Sequence, residues 1–341
     1  MIDISFVVDK PYQENEIFKM NSPAAIKYHR LKEEFGKQGF SLNTHDLCLD
    51  KHISIAIYFD IPDDFLEIFN PNIKNYALLI ESPLIKPNNF NLALYKHFDK
   101  IFTWSNDLIA QNNHTNKFIK INYAFDFKKN IISEPQQKEK LCSLIVSNKS
   151  SNFKDELYSK RKDIVRWFEK NHPNDFDLYG KGWNECRTSN PLIKRLVKST
   201  LVKDFCLRIR GKFFPSYSGE VDDKIYTLSK YKFTIAFENI QNVSGYITEK
   251  IFDAFFANCV PIYLGANDIL DVIPKNCFID IRDFTTYNEL YLFLTHMTDD
   301  DYLQYLDNIN NFLSNRKSDD FKVESFVKKI VNGILNDTTK K

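Results

Sequence analysis

The sequence predicts an α/β protein made of two units joined by a short linker. Its 341 residues exceed the roughly 100–200 residues of a typical domain, and a hydrophobic content of 43% is enough for two cores. In both halves, apolar segments with the alternation of strands are separated by segments with helical spacing. A polar stretch at 133–139 lies between the halves. Strands that alternate with helices favour parallel sheets.

The first half contains strand-like and helix-like segments in turn. The predicted elements are a first strand near the N-terminus, a helix over 23–40, and strands over 53–59, 76–80 and 100–104. The segment 53–59 alternates and is rich in residues with a high β-propensity, which indicates a strand. Ser105, Asn106 and Asp107 follow the last strand, and such a polar cluster is typical of a helix N-terminus.

The second half repeats this organisation. The predicted elements are a strand over 141–147, a helix over 155–171, a strand from 177 into a glycine-rich turn, a strand over 232–237, a helix over 248–259, and strands over 260–264 and 278–281. Residues 187–221 are basic and are expected to form a surface helix and loop. Apolar residues between 326 and 334 at helical spacing predict a terminal amphipathic helix.

These elements predict two Rossmann-like domains with a cleft between them. The expected domains are 1–138 and 139–320, followed by a C-terminal helix and short tail at 321–341. Ligands of open α/β sheets bind beyond the carboxyl ends of the strands, so we expect the site there.

Composition excludes several classes of function. Lys and Arg total 46 against 45 Asp and Glu, so no basic excess favours a nucleic-acid partner. The six cysteines form no CxxC pair, and we expect buried free thiols in a reducing compartment. No apolar run approaches the roughly 20 residues that span a bilayer, and the N-terminus looks like a strand and not a signal peptide. We therefore expect a soluble, cytoplasmic protein without a transmembrane segment.

The segment 245–250 concentrates chemistry at the start of a predicted helix. Thr248 is expected to cap the helix, and the free backbone N–H groups of its first turn suit a phosphate group. Lys250 adds a positive charge for a diphosphate, Glu249 suits sugar hydroxyls, and Tyr246 suits a ring or a phosphate. The alternative is an ordinary capped surface helix with an acid and a base in its first turn.

Three motifs in order carry a resemblance to a known family. They are Phe237-Glu238-Asn239, Tyr246-Ile247-Thr248-Glu249-Lys250-Ile251 and Val260-Pro261-Ile262-Tyr263-Leu264-Gly265. Together they resemble the signature of the α-1,3/1,4-fucosyltransferases, glycosyltransferase family 10, and look closest to its bacterial members. Residues 228–233 resemble the family's lead-in to the first motif. Glu81-Ser82-Pro83 and Asn88-Asn89-Phe90-Asn91 resemble its N-terminal elements.

The resemblance implies an α/β protein of the GT-B fold, two Rossmann-like domains facing across a cleft. It implies that the C-terminal domain binds GDP-L-fucose as donor. The N-terminal domain would meet a glycan acceptor that contains N-acetylglucosamine or galactose. Fucose would be transferred with inversion in an α-1,3 or similar linkage, and neither a metal nor a cofactor would be required. The sequence leaves the acceptor, the linkage and the oligomeric state open.

An inverting transfer needs a base for the acceptor hydroxyl, and Glu81 is the candidate. It ends a predicted parallel strand and matches the acid of the family's ESP element. The alternative is a solvated loop acid that caps the turn before Pro83. Glu238 and Asn239 either bind ribose or fucose hydroxyls or hold the loop.

The resemblance assigns Lys250 to the diphosphate, with an arginine upstream of the FEN motif as its partner. Residues 213–224 contain no arginine, so Arg210 or Lys212 is the expected substitute. This departure leaves a second hypothesis, another GDP- or dTDP-linked deoxysugar as donor. A third is a non-catalytic sugar-nucleotide-binding protein, but the retention of Glu81, Glu249 and Lys250 speaks against it. The run Asp299-Asp300-Asp301 contains a DxD pattern but lies at a predicted helix start, where acids favour the dipole.

Overall fold

The computed structural model describes residues 2–49, 52–127, 138–184 and 213–338. Within these ranges the chain forms two six-stranded sheets, and all strand pairs are parallel. One sheet is built from the first 120 residues and the other from residues 140–280. No helix of the described residues is long and apolar enough to cross a membrane.

The first sheet has the strand order β2-β1-β3-β4-β5-β6. Its strands are β1 Ile2–Val7, β2 Phe40–Thr44, β3 Ile53–Phe59, β4 Lys74–Leu79, β5 Lys100–Thr103 and β6 Phe118–Lys120. The α-helices among the described residues of this half are α1 Ile26–Lys37, α2 Phe65–Ile68 and α3 Asn106–Gln111. Neighbouring residues on one strand, such as Ile57 and Tyr58, belong to cores on opposite faces. Burial of both faces explains why these strands are apolar runs.

The second sheet has the order β12-β11-β10-β7-β8-β9. Its strands are β7 Lys140–Ile145, β8 Phe176–Tyr179, β9 Tyr217–Gly219, β10 Tyr231–Phe237, β11 Val260–Leu264 and β12 Ile279–Asp280. The remaining described helices are α4 Tyr158–Asn171, α5 Lys224–Ser229, α6 Glu249–Phe256, α7 Tyr287–His296, α8 Asp299–Ser314 and α9 Val323–Thr338. Because β7 lies between β10 and β8, the chain order reverses at β7, and a crevice opens there.

The C-terminal helix returns to the first sheet. Helix α9 buries Phe326, Ile330 and Ile334 in the core that also contains α1. The Tyr76 hydroxyl donates to Asp337, 261 residues away along the chain, at 2.9 Å. This placement follows from tertiary packing, since the amphipathic pattern alone does not say which apolar surface the helix covers.

The two halves touch through the loop before α6. The Trp104 and Tyr246 rings lie 4.8 Å apart between centroids. The Asn106 amide donates to Asp268 at 2.7 Å, and the Gly245 backbone N–H donates to the same carboxylate at 2.8 Å. Gly245 has φ +82°, and a Cβ there would lie 2.3 Å from the Trp104 carbonyl oxygen. This close approach requires a glycine.

Most predicted elements are confirmed, with corrected ends. The strands at 53–59 and 260–264 and the Ser105 cap, which accepts the Leu108 N–H, agree with the prediction. The helix predicted over 23–40 is shorter, because Gly39 adopts φ +84° and Phe40 begins β2. Three short strands, β2, β6 and β9, were not predicted, since three to five residues carry little periodic signal.

Other predictions concern particular side chains. Cys142, Cys259 and Cys277 are buried free thiols, as expected, and Cys48 is buried as well. Helix α8 begins at Asp299 with a cap by Thr298, which confirms the helix start. Most of the basic 187–221 segment and most of the predicted linker lie outside the described residues.

Two helical glycines predict opposite effects of the same substitution. At Gly333 in α9, a Cβ would meet the buried Phe102 ring at 2.7 Å, whereas Gly36 in α1 has no atom within 4 Å. We expect Gly333→Ala to lower the free energy of unfolding by about 1–3 kcal/mol through overpacking. Gly36→Ala should raise it by about 0.5–1 kcal/mol. Urea unfolding of both variants checks this, and stabilisation by Gly333→Ala would contradict the packing of α9.

Candidate active site

The carboxyl ends of strands from both sheets meet at one cavity of about 280 Å³. Glu81 follows β4 of the first sheet, and residues 146–149 follow β7 of the second. The lining residues are Glu81, Tyr123, Ile145, Val146, Ser147, Lys149, Arg161, Lys224, Asn239, Tyr246, Glu249 and Lys250. The cavity therefore contains five of the residues singled out in the sequence, and they come from both halves. A larger groove of about 1300 Å³ on the first sheet is lined by none of them.

Glu238 holds the loop that leads into α6. It follows β10, is fully buried and accepts hydrogen bonds from the Thr248 backbone N–H at 2.8 Å and the Thr248 hydroxyl at 2.6 Å. Lys250 pairs with the same carboxylate at 3.2 Å. Burial raises the pKa of Glu238, and Lys250 opposes that shift. Of the two roles left open for Glu238, the contacts favour holding the loop.

The predicted capping role of Thr248 is wrong in its detail. Thr248 occupies the N-cap position of α6, but its side chain makes no capping hydrogen bond. Its hydroxyl instead donates to Glu238 and accepts from Lys250 at 2.9 Å. A hydrogen bond that the hydroxyl donates to a buried carboxylate is charge-assisted, and it is stronger than the bond that the hydroxyl would accept from a helix N–H. The Thr248 hydroxyl therefore turns towards Glu238.

Lys250 and Glu249 form a charged pair at the cavity. The Lys250 ammonium lies 3.1 Å from a carboxylate oxygen of Glu249, and the Lys250 side chain is 9% exposed. Burial lowers the pKa of Lys250, but Glu238 and Glu249 outweigh it and raise that pKa above its usual value. For Glu249, burial acts to raise the pKa, whereas Lys250 and Lys224 hold it below its usual range. Both residues are therefore charged at neutral pH.

Tyr246 and Asn239 complete the wall on the side of the second sheet. Tyr246 is 1% exposed and packs against Trp104 and Tyr123 of the first half. The Asn239 amide donates to its hydroxyl at 3.4 Å. Tyr246 thus belongs to the contact between the halves as well as to the cavity.

Arg161 is a buried cation that the sequence analysis did not select. Its Nη2 donates to the carbonyl oxygens of Phe237 and Glu238 at 2.6 and 2.7 Å, and to the Asn239 side chain at 3.1 Å. Its Nε is buried and has no partner among the described residues. Burial lowers the pKa of Arg161. Arg161 lies three residues before Ile164, so both are on the inward face of α4. This helical spacing was the signal in the sequence that could have indicated a buried arginine.

Lys149 and Lys224 add positive charge to the same cavity. Lys149 is exposed on the loop after β7, and Lys224 begins α5, where it pairs with Asp253 at 2.7 Å. Neither was selected, because lysines in a loop and at a short helix look like solvated surface. Arg210 and Lys212, the two cations proposed from the sequence, lie outside the described residues.

Glu81 faces these cations from the other side of the cavity. Burial, followed by Asp60 and Glu249, raises its pKa to about 7, against the lowering effect of Lys250 and Lys149. A carboxyl group with a pKa near neutrality exchanges protons efficiently at physiological pH. Glu81 is half-buried in the cavity wall opposite Lys149 and Lys250.

Comparison with known proteins identifies the family. The model for the C-terminal part of glycosyltransferase family 10 (fucosyltransferase) matches residues 135–327, more than half of the chain. The chain belongs to glycosyltransferase family 10. The match covers α4, β10, α6 and β11, so it includes every cavity residue from the second half.

Curated fucosyltransferases match part of the chain. An α-(1,3)-fucosyltransferase of Helicobacter pylori is 36% identical over 159 residues, 44% of this chain and 31% of that protein. A 4-galactosyl-N-acetylglucosaminide 3-α-L-fucosyltransferase 9 of Rattus norvegicus is 31% identical over 172 residues, 49% of this chain and 42% of that protein. The matches thus span less than half the length of these relatives.

Solved structures share the fold of this family 10 chain. The crystal structure of an α1,3-fucosyltransferase with GDP has a TM-score of 0.59 and 17% identity, and covers 98% of this chain and 91% of that chain. The Anabaena protein HepE, solved with UDP-glucose, has a TM-score of 0.55 and 9% identity, and covers 98% and 100%. With two parallel sheets of six strands, the fold is GT-B, as the resemblance implied.

The buried pair of Glu238 and Lys250 predicts a non-additive effect on stability. Lys250→Met leaves Glu238 buried without its cation and should lower the free energy of unfolding by about 3–5 kcal/mol. Glu238→Gln combined with Lys250→Met should recover much of that loss, since the amide keeps hydrogen bonds to Thr248. Thermal and urea unfolding of both singles and the double variant measure the coupling. Additive losses would contradict a direct pair.

Proposed function

We propose that the chain is an inverting fucosyltransferase that moves L-fucose from GDP-fucose to a hydroxyl of a glycan. The observation that carries the proposal is the shared cavity. It places Glu81, with a pKa of about 7, opposite Lys149, Lys250 and Arg161 from the second half. Membership of family 10 and the names of the matched relatives support fucose as the transferred sugar.

Glu81 is the proposed general base. As the acceptor oxygen attacks the anomeric carbon, Glu81 takes its proton while the bond from that carbon to the diphosphate breaks. The leaving GDP keeps the bonding electrons, and its added negative charge needs stabilisation. Attack from the side of Glu81 and departure towards the cations give inversion.

The leaving diphosphate is proposed to lie against the cations of the second half. Lys250, Lys149 and Lys224 supply positive charge. Helix α6 begins at Glu249, which lines the same cavity, so the positive end of its dipole favours an anion there. Tyr246, Glu249 and Asn239 supply polar groups for the sugar and ribose. Both carboxylate oxygens of Glu238 already bond to Thr248 or Lys250, so Glu238 does not bind the donor itself. Its proposed role is to hold Lys250, which binds the donor.

No metal is required in this mechanism, because side chains provide the positive charge. Arg210 and Lys212 remain candidates for a further diphosphate contact. The acceptor is proposed to be a glycan that contains N-acetylglucosamine or galactose, in line with the names of two relatives. A cytoplasmic location stays a prediction from the sequence.

A second candidate is transfer from another nucleotide-linked sugar. The observation that favours it is the shared fold of HepE, which was solved with UDP-glucose. A non-catalytic binding protein is the third, and a near-neutral pKa of Glu81 in the cation-lined cavity argues against it.

Nucleotide binding separates the first two candidates. We expect GDP at a large excess over its dissociation constant to raise the melting temperature by about 2–5 °C, and UDP and dTDP to raise it far less. Lys149→Ala should weaken GDP binding roughly tenfold, since it removes one charge-assisted contact from an exposed position. Lys154→Ala, an exposed lysine outside the cavity, is the matched control. Stabilisation by UDP or dTDP instead of GDP would overturn the choice of donor.

Substitution of Glu81 tests the chemical step. Glu81→Gln keeps the size of the side chain but removes its basicity, so we expect the transfer rate from GDP-fucose to fall at least about 100-fold. The affinity for GDP should stay within about twofold. Rates are measured with an array of glycan acceptors, and affinities by calorimetry. A parallel loss of GDP affinity would assign Glu81 a structural role.

A further inference from the structure

Asp60 is a buried carboxylate directly behind Glu81. It follows β3, has 3% of its surface exposed, and its Oδ1 accepts the backbone N–H groups of Ile80 at 2.7 Å and Glu81 at 3.0 Å. The same oxygen accepts the Asn89 amide at 2.6 Å. Asp60 thus links the ends of two neighbouring strands at the edge of the sheet that carries the cavity.

Asn89 completes a clamp around the Glu81 backbone. Its side-chain amide donates to the Glu81 carbonyl oxygen at 3.1 Å, and its carbonyl accepts the Ile61 N–H at 2.8 Å. Asn89 has no exposed surface. Asp60 therefore holds the N–H of Glu81 while Asn89 holds its carbonyl, and the side chain projects from a fixed backbone.

Asp60 also adopts a costly backbone conformation. Its φ of +58° lies in the left-handed region, which costs a non-glycine residue about 1–3 kcal/mol. A glycine would remove this strain but would also remove the carboxylate. The strain and the burial of an ionisable carboxyl group both indicate that this side chain has a role beyond packing.

Asp60 and Glu81 are neighbouring carboxyl groups. Burial raises the pKa of Asp60, whereas the N–H groups of Glu81 and Ile80, the Asn89 amide and Lys86 favour its ionised form. After burial itself, Asp60 is the largest influence that raises the pKa of Glu81. The other charged or titratable groups around Glu81 are Glu249 and Lys250 on α6, Lys149 after β7, Lys27 on α1, and the hydroxyls of Tyr12, Tyr28, Tyr123, Tyr158 and Tyr246. Among the carboxylates in this set, Asp60 alone also bonds to the Glu81 backbone within the described residues.

We propose that Asp60 is a positioning residue that both fixes the backbone of Glu81 and strengthens it as a base through like-charge repulsion. The proposal rests on the proposed function of Glu81 as the base of the transfer. A neutral amide would satisfy the same backbone N–H groups, so hydrogen bonding alone does not require a carboxylate. The charge is what an amide lacks, and its effect is to favour the protonated form of Glu81 after the acceptor has lost its proton.

Asp60→Asn separates the two contributions. The amide oxygen keeps the hydrogen bonds to Ile80 and Glu81, while the charge disappears. We expect the acid limb of kcat/KM for fucose transfer to move down by about one pH unit. With an acid limb near pH 7, the rate ratio between pH 8 and pH 6 is roughly tenfold, and it should fall to roughly twofold. The plateau rate should fall as well, since a weaker base accepts the proton less readily.

Asp63→Asn is the matched control. Asp63 is an exposed carboxylate three residues away that accepts from Asn88 at 3.2 Å, so its removal should leave the pH profile unchanged. The melting temperature and the affinity for GDP confirm that Asp60→Asn is folded. A lower rate with an unshifted acid limb, or an equal shift in Asp63→Asn, would overturn the proposal.

A titration without substrate keeps this proposal separate from the proposed function. The ¹³C carboxyl resonance of Glu81, assigned by its loss in Glu81→Gln, reports the pKa of that group directly. We expect it to titrate near pH 7 in the unaltered protein and about one unit lower in Asp60→Asn. A protein that transfers no fucose but shows this shift would refute the activity and retain the electrostatic coupling. Equal titration midpoints in both proteins would refute the coupling itself.

Discussion

The buried carboxylate of Glu238 is the constraint on which the second half of the site depends. It receives the backbone and hydroxyl of Thr248 and the ammonium of Lys250, so the end of β10 and the start of α6 form one unit. Arg161 binds the consecutive carbonyls of Phe237 and Glu238 at the end of β10. A carboxylate with no exposed surface is stable only with such partners. The positions of Lys250 and Glu249 in the cavity follow from this anchoring.

The loop held by Glu238 also forms the contact with the first half. Tyr246 packs on Trp104. Gly245 lies so close to the Trp104 carbonyl that no side chain would fit between them. The wall of the cavity and the junction of the two halves are therefore the same segment. This arrangement brings Glu81 close enough to Glu249 and Lys250 for their charges to affect its pKa. Opposing charges on the two walls suit a reaction in which a proton leaves on one side and an anion on the other.

Particular residues show where sequence reasoning succeeds and where it stops. Glu81, Lys250 and Glu249 were selected because strand ends and helix starts are recognisable from local pattern, and these residues do share one cavity. Arg161 and Asp60 were missed, because each looks like an ordinary polar residue in its own segment. Their importance comes from partners 76 and 20 residues away along the chain. Thr248 was predicted to cap α6, because the capping rule considers only neighbouring residues and not the carboxylate of Glu238 at the end of β10.

The sequence by itself determined the alternation of strands and helices, the apolar runs of the two parallel sheets, and the motifs that carry family membership. Those features depend on side-chain periodicity and on neighbours a few residues apart, which are readable without a fold. Only the tertiary structure decided that α9 returns to the first sheet, that Thr248 donates its hydrogen bonds to Glu238, and that Asp60 lies behind Glu81. Each depends on burial and charge between distant segments, and the energy of a buried charge is set by the partners that the whole fold brings to it.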